Sequence, residues 1–281
     1  MKAGDKYQAC VDALAAYAKG TGFSQVVIGL SGGIDSSVTA VMAVDAFGAK
    51  NVHGVLLPGP YSTGHSIDDA LALAENLGIE SHTVSICEPF EAFEQVIRKS
   101  YKEKLEGLAS ENTQARCRMV ILMALSNANR WMLVNTGNKS EAAMGYSTLY
   151  GDTAGAFSPT GDLYKSEMYD LARYINRTQG DPIPGNILDK EPSSELHPGQ
   201  KDSDILPPYE VVDAILYRMI EEGQHREEIV NAGFDSEVVE KIHAMIMRNE
   251  KKRYQFPPVL RLSMCSFGHE RLMPLTNKYG D

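Results

Sequence analysis

Cysteine is scarce in this 281-residue chain, and the four present, Cys10, Cys87, Cys117 and Cys265, form no C-x-x-C pair. Such scattering argues against structural zinc and against a disulfide framework. Long apolar runs are missing too. The longest unbroken aliphatic stretch is Met119–Leu125, far short of the roughly 20 residues that cross a bilayer. The opening residues lead into a mixed polar segment without a signal-peptide core, so a cytoplasmic protein with no membrane partner is expected. Positive charge is in deficit: 27 Lys and Arg face 37 Asp and Glu, a net charge of −10. That balance leaves no broad basic face for nucleic acid. Neither H-E-x-x-H nor G-x-x-x-x-G-K-[ST] occurs, which removes the zinc-protease helix and the lysine-bearing nucleotide loop. No repeat of 20–50 residues is visible, so solenoids and propellers drop out.

What remains is ordinary globular composition, 43% apolar and 23% charged. At roughly 150 residues per domain the length suggests about 1.9 domains, which fits one large α/β domain with appendages. Periodicity predicts a first helix over Tyr7–Lys19, closed by Gly20 and Gly22. Gln25–Leu30, Asn51–Leu57, Ser81–Ile86 and Trp131–Val134 read as short buried strands. Helical stretches at Ser36–Phe47, from Ile67 to Leu77 and around Gln114–Leu125 separate them. Strands alternating with helices imply right-handed βαβ units. The expected fold is therefore α/β, a doubly wound, Rossmann-like parallel sheet over residues 23–180. Asp181–Pro208 is proline-rich and is expected to be a functional loop or lid rather than a tether. Residues 209–281 form a helical C-terminal extension, with helices near Tyr209–Glu222 and Ser236–Glu250. The whole of 1–281 is taken as one functional unit.

The sharpest feature is Ser31-Gly32-Gly33-Ile34-Asp35-Ser36-Ser37, between the first strand and the next helix. Two adjacent glycines allow a tight turn that presents bare N–H groups to an anion. The helix start adds its positive dipole end. Ser31, Ser36 and Ser37 can donate to phosphate oxygens, and Asp35 can hold magnesium. Thr136 and Glu141 follow the fourth strand and so belong at the same carboxyl edge of the sheet, where open α/β folds bind ligands. Glu141 there can complete magnesium coordination beside Asp35, although alone it also reads as a helix-start acid. Asn112 and Arg116 are four apart and share a helix face, whereas Arg118 is turned about 200° from Arg116. One of the two arginines can serve a site while the other faces solvent. Lys165 and the cluster Lys251–Arg253 look like solvated helix charges. Cys117 lacks an activating base, and methionines such as Met119 and Met123 read as core filler.

The heptad resembles the pyrophosphate-binding loop of the N-type ATP pyrophosphatases, and further motifs narrow the resemblance to NAD synthetases. These are Glu111–Arg118 (ENTQARCR), Asn135–Glu141 (NTGNKSE), Thr148–Asp152 (TLYGD), Asp162–Lys165 (DLYK) and Glu191–Leu196 (EPSSEL). Lys251–Arg253 before Pro257-Pro258 completes the set. The resemblance runs from about Gly29 to the C-terminus and implies an adenine nucleotide alpha hydrolase-like fold. It implies a ligase that amidates deamido-NAD to NAD with ATP as co-substrate, Mg2+ as cofactor and ammonia as nitrogen donor, through an adenylated carboxylate. By the same resemblance, Gly29, Leu30, Ser31, Gly32, Gly33, Ile34, Asp35, Ser36, Thr136, Lys165 and Ser193 contact ATP. Asp35 and Glu141 hold the metal, Asp35 and Lys165 are catalytic, and Asn112, Arg116, Glu141 and Lys252 bind deamido-NAD. A homodimer is implied as well.

Two positions depart from the pattern: ammonia-dependent synthetases commonly have a lysine at Leu149 and an aspartate at Ala156. Thr148–Asp152 and the stretch from Pro198 to Leu216 look instead like the synthetase domain of larger glutamine-dependent enzymes. Those carry an amino-terminal amidase domain with a Glu-Lys-Cys site. About one helix precedes Gly29, so the chain is expected to use ammonia, with a separate glutaminase or excision from a larger enzyme left open. The rivals are a tRNA-modifying or sulfur-transfer enzyme sharing the loop, and a non-catalytic nucleotide-binding paralogue. The first would want reactive cysteines and a basic surface. The second is weakened by the joint presence of Asp35, Glu141 and Lys165.

Overall fold

A computed structural model describes residues 1–267 and residue 271. Its centre is a parallel sheet of β1 (Val26–Gly29), β2 (Val52–Leu56), β3 (Glu80–Thr83) and β4 (Met132–Leu133), in the order β3-β2-β1-β4. Val26 pairs with both Val52 and Met132, and Val27 with His53 and Leu133. The chain winds outward from β1 through β2 to β3 and then returns to lay β4 on the other flank of β1. That reversal makes the fold doubly wound and opens a crevice at the carboxyl ends of β1 and β4. Parallel bridges Val134–Phe157 and Ser158–Val259 continue the sheet beyond β4.

Alternation along β1 sends Val26 and Ile28 to one face and Val27 to the other. The first face is covered by α1 (Ala3–Thr21), α2 (Ile34–Phe47), α3 (Gly64–Leu77), α7 (Lys165–Gln179) and the short α8 (Gly185–Asp189). The opposite face meets α4 (Cys87–Tyr101) and α5 (Leu108–Asn129), with Phe90, Cys117 and Leu122 buried against Val27, Val55 and Leu133. The sequence reading passes over α4 and makes α5 too short. Pro89 sits in the first turn of α4, where a missing N–H is tolerated, and only Phe90 of that helix is fully buried. The strand expected over Ser81–Ile86 pairs only over Glu80–Thr83, at the edge of the sheet.

A third apolar cluster gathers α6 (Lys139–Met144), α9 (Tyr209–Ile220), α10 (Arg226–Asn231) and α11 (Ser236–Arg248), with α12 (Glu250–Arg253) following. Because α6 comes from the α/β core, this C-terminal module shares its packing with the sheet domain and does not hang from a linker. Residues 268–270 and 272–281 of the expected extension lie outside the described residues. Asp181–Pro208 is less irregular than expected, since it holds α8 and a 3-10 turn at Asp202–Asp204. Among the described residues no helix is long and apolar enough to cross a membrane.

One buried ionic cluster ties the module to the core. Lys139 is fully buried, and its Nζ donates to Asp162 Oδ1 at 2.7 Å, Ser263 Oγ at 2.7 Å and the Cys265 carbonyl at 3.1 Å, and pairs with Glu221. Asp162 also accepts from the backbone N–H of Leu262 and Ser263. Lys139→Ala should therefore destabilise the chain by about 3–5 kcal/mol, because it strands two carboxylates in the interior. Urea unfolding checks this, and a midpoint unchanged from wild type would show that the cluster contributes nothing.

Candidate active site

The loop after β1 owes its shape to Gly32. Its φ is +73°, and a Cβ built there would lie 2.1 Å from the Ser66 carbonyl oxygen at the start of α3. Only glycine lets the loop press against that helix end. Gly33 then caps α2 with extended backbone. Ser31 Oγ lies 3.0 Å from Ser36 Oγ and accepts from Gly33 N at 3.2 Å. Ser36 and Ser37 donate to the Gly33 carbonyl at 3.1 and 2.8 Å. Gly29, Leu30, Ser31, Gly33, Ile34, Asp35 and Ser36 line a cavity of about 330 Å³ at the crevice, together with Thr136, Glu141, Lys165 and Ser193. Gly32 faces Ser66 and Ser37 is fully buried; neither is part of that lining. Ser37 is thus a helix-start brace rather than a phosphate donor.

Three charges from three segments meet in the cavity. The Lys165 ammonium pairs with Asp35 and stands 3.7 Å from Glu141 Oε1. Asn138 Nδ2 donates to the other Asp35 oxygen at 3.0 Å, and Asn138 also caps α6 by accepting from Glu141 N at 2.9 Å. Glu141 in turn accepts from Asn138 N at 3.4 Å, so it is both a helix-start acid and a cavity carboxylate. Burial alone would lower the pKa of Lys165, but Asp35 and Glu141 outweigh it and hold the ammonium above its ordinary value. Burial, then the neighbouring Asp35, pushes the Glu141 carboxyl up to about 8, even though its side chain is 24% exposed towards the cavity. At neutral pH Glu141 is therefore largely protonated, and the Asp35 carboxylate and the Lys165 ammonium balance each other.

The proline-rich segment closes one wall, with Lys190–Leu196 and Asp202 in the lining. Glu195 docks on the start of α3, accepting from Thr63 N at 3.0 Å, Thr63 Oγ1 at 2.9 Å and Ser66 Oγ at 2.6 Å, with Lys190 at 3.4 Å. Burial would raise its pKa, but these partners hold it below the usual carboxylate value. Ser193 Oγ donates to the Gln200 carbonyl at 2.6 Å and accepts from Glu195 N, so it shapes the segment from within.

Asn112, Arg116 and Lys252 lie apart from the cavity lining and converge on one loop instead. Asn112 Oδ1 accepts from Thr148 Oγ1 at 2.7 Å, Arg116 Nε donates to the Leu149 carbonyl at 3.1 Å, and Lys252 Nζ donates to the Gly145 and Ser147 carbonyls. Of the two arginines, Arg118 is the one that faces the cavity, with Nε on the Leu57 carbonyl at 2.9 Å, while Arg116 is exposed. Helical spacing separates the two; the direction of the cavity decides between them. The sequence reading leaves Arg118 open as one of two arginines, and it does not single out Asn138, Glu195 or Asp202 as site residues. Only Asn138 had a local signal, the N-x-x-E capping pattern.

Residues 6–256 match the NAD synthase family. The chain belongs to that family. A glutamine-dependent NAD(+) synthetase of Synechocystis sp. is 45% identical over 273 residues, 97% of this chain and 49% of the relative. The chain thus spans about half the length of the curated relatives it matches. Among solved structures, the NMN synthetase of Francisella tularensis superposes with TM-score 0.77 at 32% identity, over 94% of this chain and 98% of that one. The NH3-dependent NAD synthetase of Campylobacter jejuni gives 0.73 at 30% identity, over 93% of this chain and 100% of that one. The α/β parallel architecture expected from sequence is the one these neighbours share.

Gly32→Ala tests the loop of this NAD synthase fold. The left-handed backbone alone costs roughly 1–2 kcal/mol with a Cβ, and the contact with Ser66 adds to it. ATP titrated calorimetrically should bind the variant more weakly than wild type while far-UV circular dichroism stays the same. Equal affinity would show that the glycine turn does not shape the nucleotide site.

Proposed function

We infer that the chain amidates deamido-NAD to NAD at the expense of ATP. The observation that carries this reading is the meeting of Lys165, Asp35 and Glu141 beside the glycine turn, in a chain of the NAD synthase family. The substrate carboxylate attacks the α-phosphorus of ATP and pyrophosphate leaves. Ammonia then adds to the acyl carbon of the resulting adenylate, and AMP departs as the amide forms. A free carboxylate is a poor acceptor for an amine, and the adenylate supplies the leaving group.

The protein's part is positioning and charge stabilisation. N–H groups of the Ser31–Ser36 turn and the start of α2 receive phosphate oxygens. Lys165, kept protonated by its carboxylate neighbours, neutralises charge as the α-phosphorus is attacked. Asp35 and Glu141 offer hard oxygen donors at a spacing bridged by one ammonium, a set that suits magnesium completing its shell with phosphate oxygens and water. Bound there, the ion would offset phosphate charge. Thr136 and Ser193 line the nucleotide side, and Asn112, Arg116 and Lys252 brace the Gly145–Asp152 loop on the dinucleotide side.

Ammonia is the proposed nitrogen donor. None of the four cysteines lines the cavity. Burial pushes the Cys10 thiol up to about 12 and raises that of Cys117, the opposite of an activated nucleophile. The Campylobacter neighbour, matched along its whole length, is named for ammonia, whereas the glutamine-dependent relatives extend well beyond the matched region. A separate glutaminase would serve as an ammonia source. A homodimer is proposed through α4 and α5, where Phe93, Val96, Leu108 and Val120 are exposed. A cytoplasmic setting fits this chemistry.

NAD formation from deamido-NAD, ATP, magnesium and ammonium is the direct test, with nicotinic acid mononucleotide as the competing acceptor. Turnover of the mononucleotide alone would replace the dinucleotide reading. Lys165→Ala should lower kcat by roughly 10²–10³, followed as pyrophosphate release, with the fold intact. A wild-type rate would return Lys165 to a structural role.

With glutamine as sole nitrogen source and trace ammonium removed, residues 1–281 should make no NAD. Sustained turnover there would reveal a glutaminase site in the chain.

A further inference from the structure

Lys165 is the first residue of α7, so the position of its ammonium depends on how that helix begins. The first N–H groups of an α-helix have no intrahelical acceptor and fray unless capped. Tyr164, at the N-cap, provides no side-chain cap. Glu167 of the same helix accepts from Tyr164 N at 2.8 Å, and the acceptors for the next two N–H groups come from two other helices. Ser140 Oγ, on α6, accepts from Lys165 N at 2.9 Å. Asp213, on α9, accepts from Ser166 N at 2.8 Å with one oxygen and from Ser140 Oγ with the other. Asp213 is 5% exposed and Ser140 fully buried, and neither lines the cavity. They therefore touch no substrate.

Their placement has a second effect. Ser140 directly precedes Glu141, so the bond network fixes α6, with its cavity carboxylate, against α7, with its cavity ammonium. Asp213 lies 73 residues from Ser140 and 47 from Ser166 in sequence. A buried carboxylate recruited over that distance to cap another helix is a costly arrangement unless the cap must be exact in position. Val212, Ile215 and Leu216 of α9 already share an apolar cluster with α6 and with Tyr164 just before α7.

We propose that Asp213 is a positioning residue for Lys165, acting with Ser140 to set where the ammonium meets the nucleotide. This rests on the adenylating role given to Lys165 above. Removing the cap lets the first turn of α7 shift, and a misplacement of about 1 Å can cost on the order of a hundredfold in rate. Ground-state contacts to ATP through the glycine turn are untouched, so ATP binding persists.

The test uses the full chain with saturating deamido-NAD and ammonium, comparing Asp213→Asn and Ser140→Ala in wild-type and Lys165→Ala backgrounds. In the wild-type background each substitution should lower kcat about ten- to a hundredfold with KM for ATP within about twofold. In the Lys165→Ala background neither should lower kcat by more than about twofold, because the group they position is gone. A merely structural aspartate predicts the same loss in both backgrounds, and that result, or unchanged kcat in folded single variants, overturns the proposal. Ser140→Ala decides the matter if Asp213→Asn does not fold, since it keeps the Asp213 bond to Ser166. Should wild type make no NAD at all, the amidation reading fails. The positioning claim then stands or falls on ATP hydrolysis or pyrophosphate exchange by the same variants in the same two backgrounds, and equal rates throughout would end it.

Discussion

The ion pair between Lys165 and Asp35 is the constraint around which the rest of the molecule is arranged. One partner sits in the first turn of α2 and the other in the first turn of α7, so two helix starts must face each other across the crevice. Both side chains are largely buried, which makes the pair expensive unless its remaining polar atoms are satisfied. Asn138 supplies one of those bonds and Glu141 adds a second carboxylate within reach. The result is a buried cation held between two carboxyl groups, one of which, Glu141, burial pushes towards its neutral form.

Sheet topology is what makes this meeting possible. Parallel strands put the chain segments that follow them on one edge, and the reversal between β1 and β4 keeps the two nearest segments from blocking each other. Residues near 35 and 138 reach the crevice in that way. Lys165 arrives on α7, and Lys190–Leu196 arrive by a different device, a carboxylate docked on the start of α3. That helix end also abuts Gly32 through the Ser66 carbonyl. The wall of the pocket and its glycine turn are thus in contact through Ser66.

How much of this could be read from the sequence depends on separation along the chain. Gln25–Ser37 was legible because strand, turn and helix start are contiguous and each leaves a local mark. Thr136 and Glu141 were legible by position, as residues that follow a strand. Lys165 was not distinguishable from a solvated helix lysine by its own surroundings, and only the family resemblance singled it out. The choice between Arg116 and Arg118 needed the sheet, since helical spacing separates them without saying which way the cavity lies. Asn138 bonds Asp35 across 103 residues and Glu195 reaches Thr63 across 132, contacts that leave no periodicity behind. The helix α4 does carry an apolar stripe at helical spacing, Phe90, Phe93, Ile97 and Tyr101, but only Phe90 of it is buried, so the stripe is not matched by a core.

Helix α9 is bonded at both ends to parts of the chain outside its own module. Tyr209 at its start donates to Asp202 of the proline-rich wall at 3.0 Å and lies under the Lys165 ammonium, and Glu221 just past its end pairs with Lys139. A helix wired in this way cannot be exchanged as a modular part. Chimaeras that splice the α/β core of one family member onto the helical module of another would have to carry α6 and α9 together, because the seam between the modules runs between those helices and the rest of the chain, and not along the proline-rich segment where composition alone would place it.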